Sequence, residues 1–373
     1  MERRKHQVLT KKGKSSFRWF DKTLFIYIVV LSILGIIAVA DASAPQALEV
    51  FGDSFYFVKQ QIVWTLIGFA GMFVVSFIDY KIWKKLAPVI FIVSLALLLV
   101  VFIPGVGSKV LGARRWVNLG FFGFQPSEVA KISLAIFIAW LASYDYPFKY
   151  YIATVGLVAF LIMLQPDLGT TIVIIGIAVV QMFISGLPII YMIGFGLLGA
   201  GGGSLLVLLS DYRRQRLMTF LESSTDPLGT SYHIRQILIA LGSGGLLGVG
   251  LGQSRQKHLF LPETATDSVF AVIAEEIGFV GAAFLIILLF LFVFRTIKIS
   301  SKSPDKFGLV LGGGLAAWLG GQIFLNVASM VALVPLTGIP LPFFSYGGSS
   351  QLMILISVGI LLNISRHVEK EEK

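Results

Sequence analysis

Three carboxylates fall within ten residues, Asp267, Glu275 and Glu276, in the stretch LFLPETATDSVFAVIAEEIG over 259–278. Asp267 opens an apolar run long enough to cross a membrane, and the two glutamates lie inside it. Acids in such a segment are costly to place, and their default meaning is function. A carboxylate here can act as a general base on a hydroxyl nucleophile, as a proton relay or as a cation ligand. A helix that begins near Asp267 puts 267, 270, 271, 274 and 275 on one face. Asp267 and Glu275 then look the same way, about 12 Å apart along the axis. The preceding segment, with Pro262, Glu263, Thr264 and Thr266, is polar and proline-broken, and Glu263 adds one more acid beside Asp267.

The elements that position these groups follow from composition. Of 373 residues, 56% are hydrophobic and only 13% charged, which excludes an ordinary globular domain and indicates an all-α polytopic membrane protein. Without cysteine there is no disulfide, thiolate nucleophile or Cys-based metal site. His6, His233, His258 and His367 are scattered, with no metal-ligand spacing. The net charge of +10 is divided among loops and suits topology and anionic lipid rather than nucleic acid.

Ten apolar runs are long enough to span ~30 Å of hydrocarbon: 23–42, 58–78, 86–103, 127–143, 150–165, 168–186, 189–210, 267–294, 307–335 and 345–365. The basic segment 1–22 reads as a cytoplasmic tail and 366–373 as a second one, with a single transmembrane domain over 23–365. This puts both termini inside, and nineteen of the thirty Lys and Arg fall on that side, in accord with the positive-inside rule. The small residues AVADASA at 38–44 could also mark signal-peptide cleavage, although the basic region before them is long. Two external connections are long, 104–126 and 211–266. Within the second, the stretch from His233 to Gly252 is amphipathic and then glycine-rich, as for a helix lying on or dipping into the outer leaflet.

Cations collect in these external segments. Arg114 and Arg115 are adjacent, so in an extended piece they point to opposite sides and one can meet a phosphate bidentately. Trp116 is either an interfacial belt residue or a stacking platform for a sugar. Lys131 either pairs with Glu128 at i,i+3 or faces a cavity that receives an anionic headgroup. Asp167 reads as a helix cap. Arg213 and Arg214 form a snorkelling collar or a phosphate grip, and Lys257 is another free-standing external cation. The GVGLG run lacks the lysine and the preceding strand of a nucleotide loop. The glycine triplets 201–203 and 312–314 suit close helix packing. The stretch PLTGIPLPFFSYGGSS at 335–350, which contains Ser345 and Gly347, must be irregular backbone buried in protein or facing a cavity. Cations, a tryptophan and carboxylates gathered at one leaflet suit a lipid-linked substrate bearing phosphate and sugar.

The motifs GARRWVNLGFFGFQPSE, QPDLGT, YRRQRLMTF, DPLGTSYH, LPETATDSVFAVIAEEIGFVG and LTGIPLPFFSYGGSS resemble those of the SEDS family of FtsW, RodA and SpoVE proteins, from the first span to the last. The last motif and DPLGTSYH are slightly more similar to FtsW and SpoVE. The resemblance implies ten helices and a peptidoglycan glycosyltransferase of the bacterial cytoplasmic membrane. It also implies that lipid II is polymerised at the outer face, with Asp267 as the essential acid and Trp116 near the substrate. A class B penicillin-binding protein is the implied partner, with other division or elongation proteins around it. Ser268 departs from the family, which often has an aromatic after the aspartate.

From these residues the expected site has Asp267 as catalytic base, with Arg115, Trp116, Lys131, Arg213, Arg214, Lys257, Glu263, Glu275, Ser345 and Gly347 toward the substrate. One displacement at one carboxylate predicts inversion at the anomeric carbon, with cations stabilising a pyrophosphate leaving group. No resident cofactor is evident, but a carboxylate pair near a pyrophosphate could hold Mg2+ through water. The competing reading is a lipid II flippase, which calls for ionisable groups at the midplane and an inverted repeat. No repeat is visible. A scaffold that only recruits a partner would explain neither the cations nor Asp267.

Overall fold

The computed structural model describes residues 20–110, 113–118, 123–208, 214, 218, 231–258 and 260–368. Three helices come first, α1 (Lys22–Phe51), α2 (Tyr56–Phe77) and α3 (Lys81–Val100). A small antiparallel sheet follows in the order β1 (Gly107–Val110), β2 (Ala113–Asn118), β3 (Gly123–Phe124). Next are α4 (Pro126–Ser143), α5 (Phe148–Leu164), α6 (Leu168–Ile184) and α7 (Ile189–Leu208). The remaining helices are α8 (Tyr232–Gly244), α9 (Val269–Ser301), α10 (Lys306–Met330) and α11 (Gly348–His367). All but α8 coincide with the ten expected spans. α1 to α4 and α9 to α11 are long and apolar enough to cross a membrane. α5 and α6, at 17 residues each, reach only ~25 Å, and α7 completes the apolar set. The chain is a multi-pass, mainly helical membrane protein.

Several boundaries differ from the hydropathy pattern: α3 begins five residues earlier, at Lys81, and α10 ends five residues earlier, at Met330. α1 continues through AVADASA to Phe51, where Gly52 caps it at φ 68. Ala38, Val39, Ala42 and Ser43 are buried in the bundle, where small residues suit close packing. Gly35 lies so close to the Phe343 carbonyl that a Cβ there would collide with it. α9 is not one straight rod: Gly278 (φ 69, ψ −174) breaks it after the two glutamates.

Glycine behaves differently in the two triplets. A Cβ at Gly312, Gly313 or Gly314 would press on Ser300, Ile184 or Gln181, so α10 packs tightly on α6 and α9, as expected. Gly201, Gly202 and Gly203 have no described atom within 4 Å of a Cβ position, so that triplet makes no close helix contact among the described residues.

Contacts at the two ends establish that the spans alternate in direction. At one end the α2–α3 turn meets α10 and α11: Tyr80 donates to Asp305 Oδ2 (2.5 Å), and Asn363 accepts from Tyr80 N (2.8 Å). Arg295 of α9 pairs there with Asp21, the N-cap of α1. At the opposite end the sheet, the α5–α6 turn, α8, the start of α9 and residues 331–347 come together. The described parts of the external connections 104–126 and 211–266 and of the 335–350 stretch therefore converge on one end of the bundle.

Candidate functional site

Asp267 stands two residues ahead of the first helical residue of α9, half-buried, with Ser268 as N-cap. Its backbone is held from several directions. Asn326 Nδ2 donates to the Asp267 carbonyl at 2.8 Å and to the Ile339 carbonyl at 2.8 Å. Ser268 N donates to the Glu263 carbonyl at 3.1 Å, and Tyr346 N to the Ala265 carbonyl at 2.7 Å. The carboxylate accepts from Thr266 Oγ1 at 3.3 Å. Glu263 and Phe343 hold φ of 54° and 70°, a left-handed backbone that is strained for residues other than glycine. One lies in each of the loops that flank Asp267. Glu263 is exposed and accepts from Thr266 Oγ1 (2.8 Å).

Lys131 reaches the same region from α4 and is 2% exposed. The expected pair with Glu128 forms. Its ammonium donates to Glu128 Oε1 at 2.8 Å and to Gln322 Oε1 at 3.0 Å, and lies 4.9 Å from the Trp318 ring centroid. Gln322 also accepts from Trp318 Nε1 (2.7 Å) and donates to the Pro340 carbonyl (3.0 Å). Trp318, Gln322 and Asn326 form one stripe of α10 at i, i+4, i+8. Gln322 and Asn326 are a turn apart, ~6 Å along the axis, so a buried cation and the catalytic candidate's backbone hang from adjacent turns of one helix. Ser127 Oγ, Glu128 Oε2, Asn326 Oδ1, Thr337 Oγ1, Ser349 Oγ and Ser350 Oγ are buried without a protein partner. Orphaned buried polar atoms are uncommon and call for a ligand or water. Gln322, Asn326 and Thr337 were not read from sequence. The signal was present as polar residues inside an apolar run, but it has no meaning until α4 is placed opposite.

The other expected site residues take different positions. Arg115 lies in the extended strand β2 and donates to the Gln165 (3.1 Å) and Pro166 carbonyls. It thus clamps the turn before Asp167, which caps α6 through Thr170 N (3.0 Å). Gly169, just beyond, packs against the Thr337 carbonyl. Trp116 is half-buried over Gly123 in the sheet. Ser345 Oγ accepts from Leu341 N (2.7 Å), closing the 341–345 turn, and Gly347 N–H donates to Gln61 Oε1 (3.4 Å). Arg214 is exposed. Arg213 lies outside the described residues.

Glu275 and Lys257 are engaged elsewhere. Glu275 Oε1 accepts from Ser243 Oγ and Arg255 N, both at 3.2 Å. Its Oε2 accepts from Ser254 Oγ (2.5 Å) and Gln256 N (3.4 Å). Glu276 accepts from Gly252 N and Ser254 N, both at 3.0 Å, and from Lys257 Nζ at 2.8 Å. Lys257 also donates to Asp41 Oδ1 of α1 at 2.6 Å. Burial alone would lower the Lys257 pKa, but the bonds to Asp41 and Glu276 outweigh it and hold the ammonium above the usual lysine range. These groups fasten the external loop to the bundle. Among the described residues no three His, Asp or Glu side chains gather as a metal site.

Comparison with known proteins agrees with this architecture. Residues 22–370 match the family described as cell cycle protein, FtsW/RodA/SpoVE. The chain is 38% identical to a probable peptidoglycan glycosyltransferase FtsW of Geobacter sp. (strain M18), covering 93% of this chain and 96% of that one. It is 40% identical to stage V sporulation protein E of Bacillus subtilis (strain 168), covering 93% and 97%. Among solved structures, a chain of a peptidoglycan synthase complex that coordinates polymerization and crosslinking superposes with a TM-score of 0.78 at 28% identity, covering 94% and 99%. Thermus thermophilus rod shape determining protein RodA superposes at 0.70 and 28%, covering 94% and 98%. With the family matched over nearly its whole length, this chain belongs to the FtsW/RodA/SpoVE family of polytopic membrane proteins.

Proposed function

We propose that this protein is an inverting peptidoglycan glycosyltransferase that polymerises lipid II at the outer face of the bacterial cytoplasmic membrane. The observation that carries the reading is the α10 stripe, which hangs the Lys131 ammonium and the Asp267 backbone from successive turns. Around it lie orphaned hydroxyls and a free carboxylate oxygen. Relatives named as peptidoglycan glycosyltransferases support the reaction class.

Asp267 takes the proton from the C4 hydroxyl of the acceptor sugar while that oxygen attacks the anomeric carbon of the donor. The bond from that carbon to the pyrophosphate breaks, and undecaprenyl pyrophosphate leaves with the electron pair. One displacement converts an α-linked donor to a β-linked product with no covalent sugar–enzyme intermediate. Lys131 is a buried cation bound one helical turn from the residue that holds the Asp267 backbone, and a charge held in low dielectric stabilises growing negative charge more than one in water.

A class B penicillin-binding protein is the proposed partner, because the solved relative works in a complex that joins polymerization to crosslinking. Other division or elongation proteins would assemble around that pair. The flippase reading needs carboxylates at depth that can change partners. Glu275, with four donors on its two oxygens, is poorly suited to that.

The test is polymerisation of lipid II by purified protein, wild type against Asp267→Ala and Asp267→Asn. Glycan product lost in both variants, with folding intact, supports the base. Full activity in Asp267→Asn would sink that assignment, and translocation without product would favour the flippase.

A further inference from the structure

Ser268, immediately after Asp267, is fully buried, and its hydroxyl makes no cap to the helix it starts. It lies instead 2.8 Å from His233 Nε2, in the first turn of α8. We infer that His233 is a positioning residue for Asp267, acting through Ser268 to fix the direction in which the carboxylate meets the acceptor hydroxyl; this rests on the base reading above.

α8 is seated on α9 at two points. At its C-terminal end Gly244 lies against the Ala274 carbonyl, where a Cβ would collide. There Ser243 Oγ also donates to Glu275 Oε1, and at the N-terminal end of α8 His233 meets Ser268. Ile234, Ile237 and Ala240 are buried between the two points.

Residue 268 is also where extended backbone becomes helix. Its N–H goes to the Glu263 carbonyl, and its carbonyl accepts from Ala271 N at 3.0 Å. The peptide that joins it to Asp267 has its carbonyl on Asn326. These bonds restrain the backbone from the α10 side and from the 263–268 turn. The His233 bond adds a restraint from α8. A shift of about 1 Å at a catalytic group can lower turnover a hundredfold, so the third restraint has kinetic weight. A phenylalanine at 268 would have no oxygen for His233, so the bond depends on the serine present here. A hydroxyl both donates and accepts, so Ser268 meets His233 in either neutral tautomer.

The experiment measures initial polymerisation rates against lipid II concentration with the full-length purified protein. Variants are His233→Ala, His233→Gln, Ser268→Ala, Ser268→Thr, His233→Ala/Ser268→Ala and Asp267→Ala. His233→Ala and Ser268→Ala each lower kcat about tenfold, with KM within about twofold of wild type. The double variant is no slower than either single one, because both remove the same bond. His233→Gln and Ser268→Thr, which retain a donor or a hydroxyl, recover most of the rate. If His233→Ala does not fold, the Ser268→Ala and Ser268→Thr pair decides alone. Wild-type kcat in Ser268→Ala, a loss confined to KM, additive losses or failure of the conservative variants overturns the inference. Activity in Asp267→Ala would overturn the base reading instead. A dead Asp267→Ala beside a fully active Ser268→Ala overturns only the His233 role.

Discussion

Lys131 carries its charge at 2% exposure on three supports: Glu128, Gln322 and the Trp318 ring. Glu128 keeps one oxygen without a partner even so. Lys131→Met therefore leaves a buried carboxylate with no counterion, which costs about 3–5 kcal/mol. Adding Glu128→Leu removes the stranded charge and returns most of the stability, since an apolar pair of similar volume is tolerated. Activity stays lost in both, because the ammonium is gone from the site. Thermal unfolding in detergent alongside lipid II polymerisation separates the two effects. A double variant that is both stable and active would remove Lys131 from the machinery. The Lys131–Glu128 pair was legible in the sequence because i,i+3 spacing on a helix is local geometry. Gln322 and Asn326 were not, since their meaning depends on what α4 and the 337–340 loop bring opposite them. Lys257 read as a ligand cation for the same reason: its partner Asp41 is 216 residues away.

The break in α9 is an element-scale device. Helices interrupted at membrane depth leave backbone groups that need partners, and here the loop after α8 supplies them. Val249 N donates to the Glu275 carbonyl (3.1 Å) and Gly250 N to the Glu276 carbonyl (3.0 Å). On the other side, Phe279 N donates to Gly245 O (2.9 Å) and Val280 N to Leu246 O (3.1 Å). The glutamate side chains bind the same loop farther on, so EE followed by IG is one anchor. Gly278 and Gly248 approach so closely that neither has room for a Cβ, and both have positive φ. Gly278→Ala is predicted to destabilise by at least about 2 kcal/mol from backbone strain alone, before the collision is counted. Limited proteolysis of the 245–258 loop should become faster in the variant. Protection equal to wild type would mean that the break is incidental. Hydropathy revealed the spans because apolar length is a simple property of composition. It concealed this break, because a glycine between apolar residues looks like ordinary helix packing.

At the scale of the whole molecule, Lys257 is where the first span meets the long external connection and the ninth helix. Its ammonium lies between Asp41 of α1 and Glu276 of α9 and is 5% exposed. Between them these contacts hold the loop from which α8 reaches Ser268, so the triad's stability bears on the site itself. Lys257→Met leaves the buried Glu276 facing the half-buried Asp41 with no cation, at a cost of about 3 kcal/mol. Asp41→Asn is milder, because Glu276 still neutralises the lysine. The folded pKa of Lys257 is raised, so its contribution is complete below the ordinary lysine value of 10.5 and fades only as pH rises past it. The lysine's own contribution is therefore the same at pH 6 and pH 8, whereas in Lys257→Met a proton can relieve the two facing carboxylates, so the penalty is expected to be no larger at pH 6 than at pH 8. Detergent unfolding at both values checks this, and a larger penalty at pH 6 would mean that the two acids do not face each other. Polymerisation should fall with stability in Lys257→Met and recover when a stabilising lipid environment restores the fold, whereas in Asp267→Ala no such recovery follows. That contrast separates residues that hold the site together from the one that performs its chemistry.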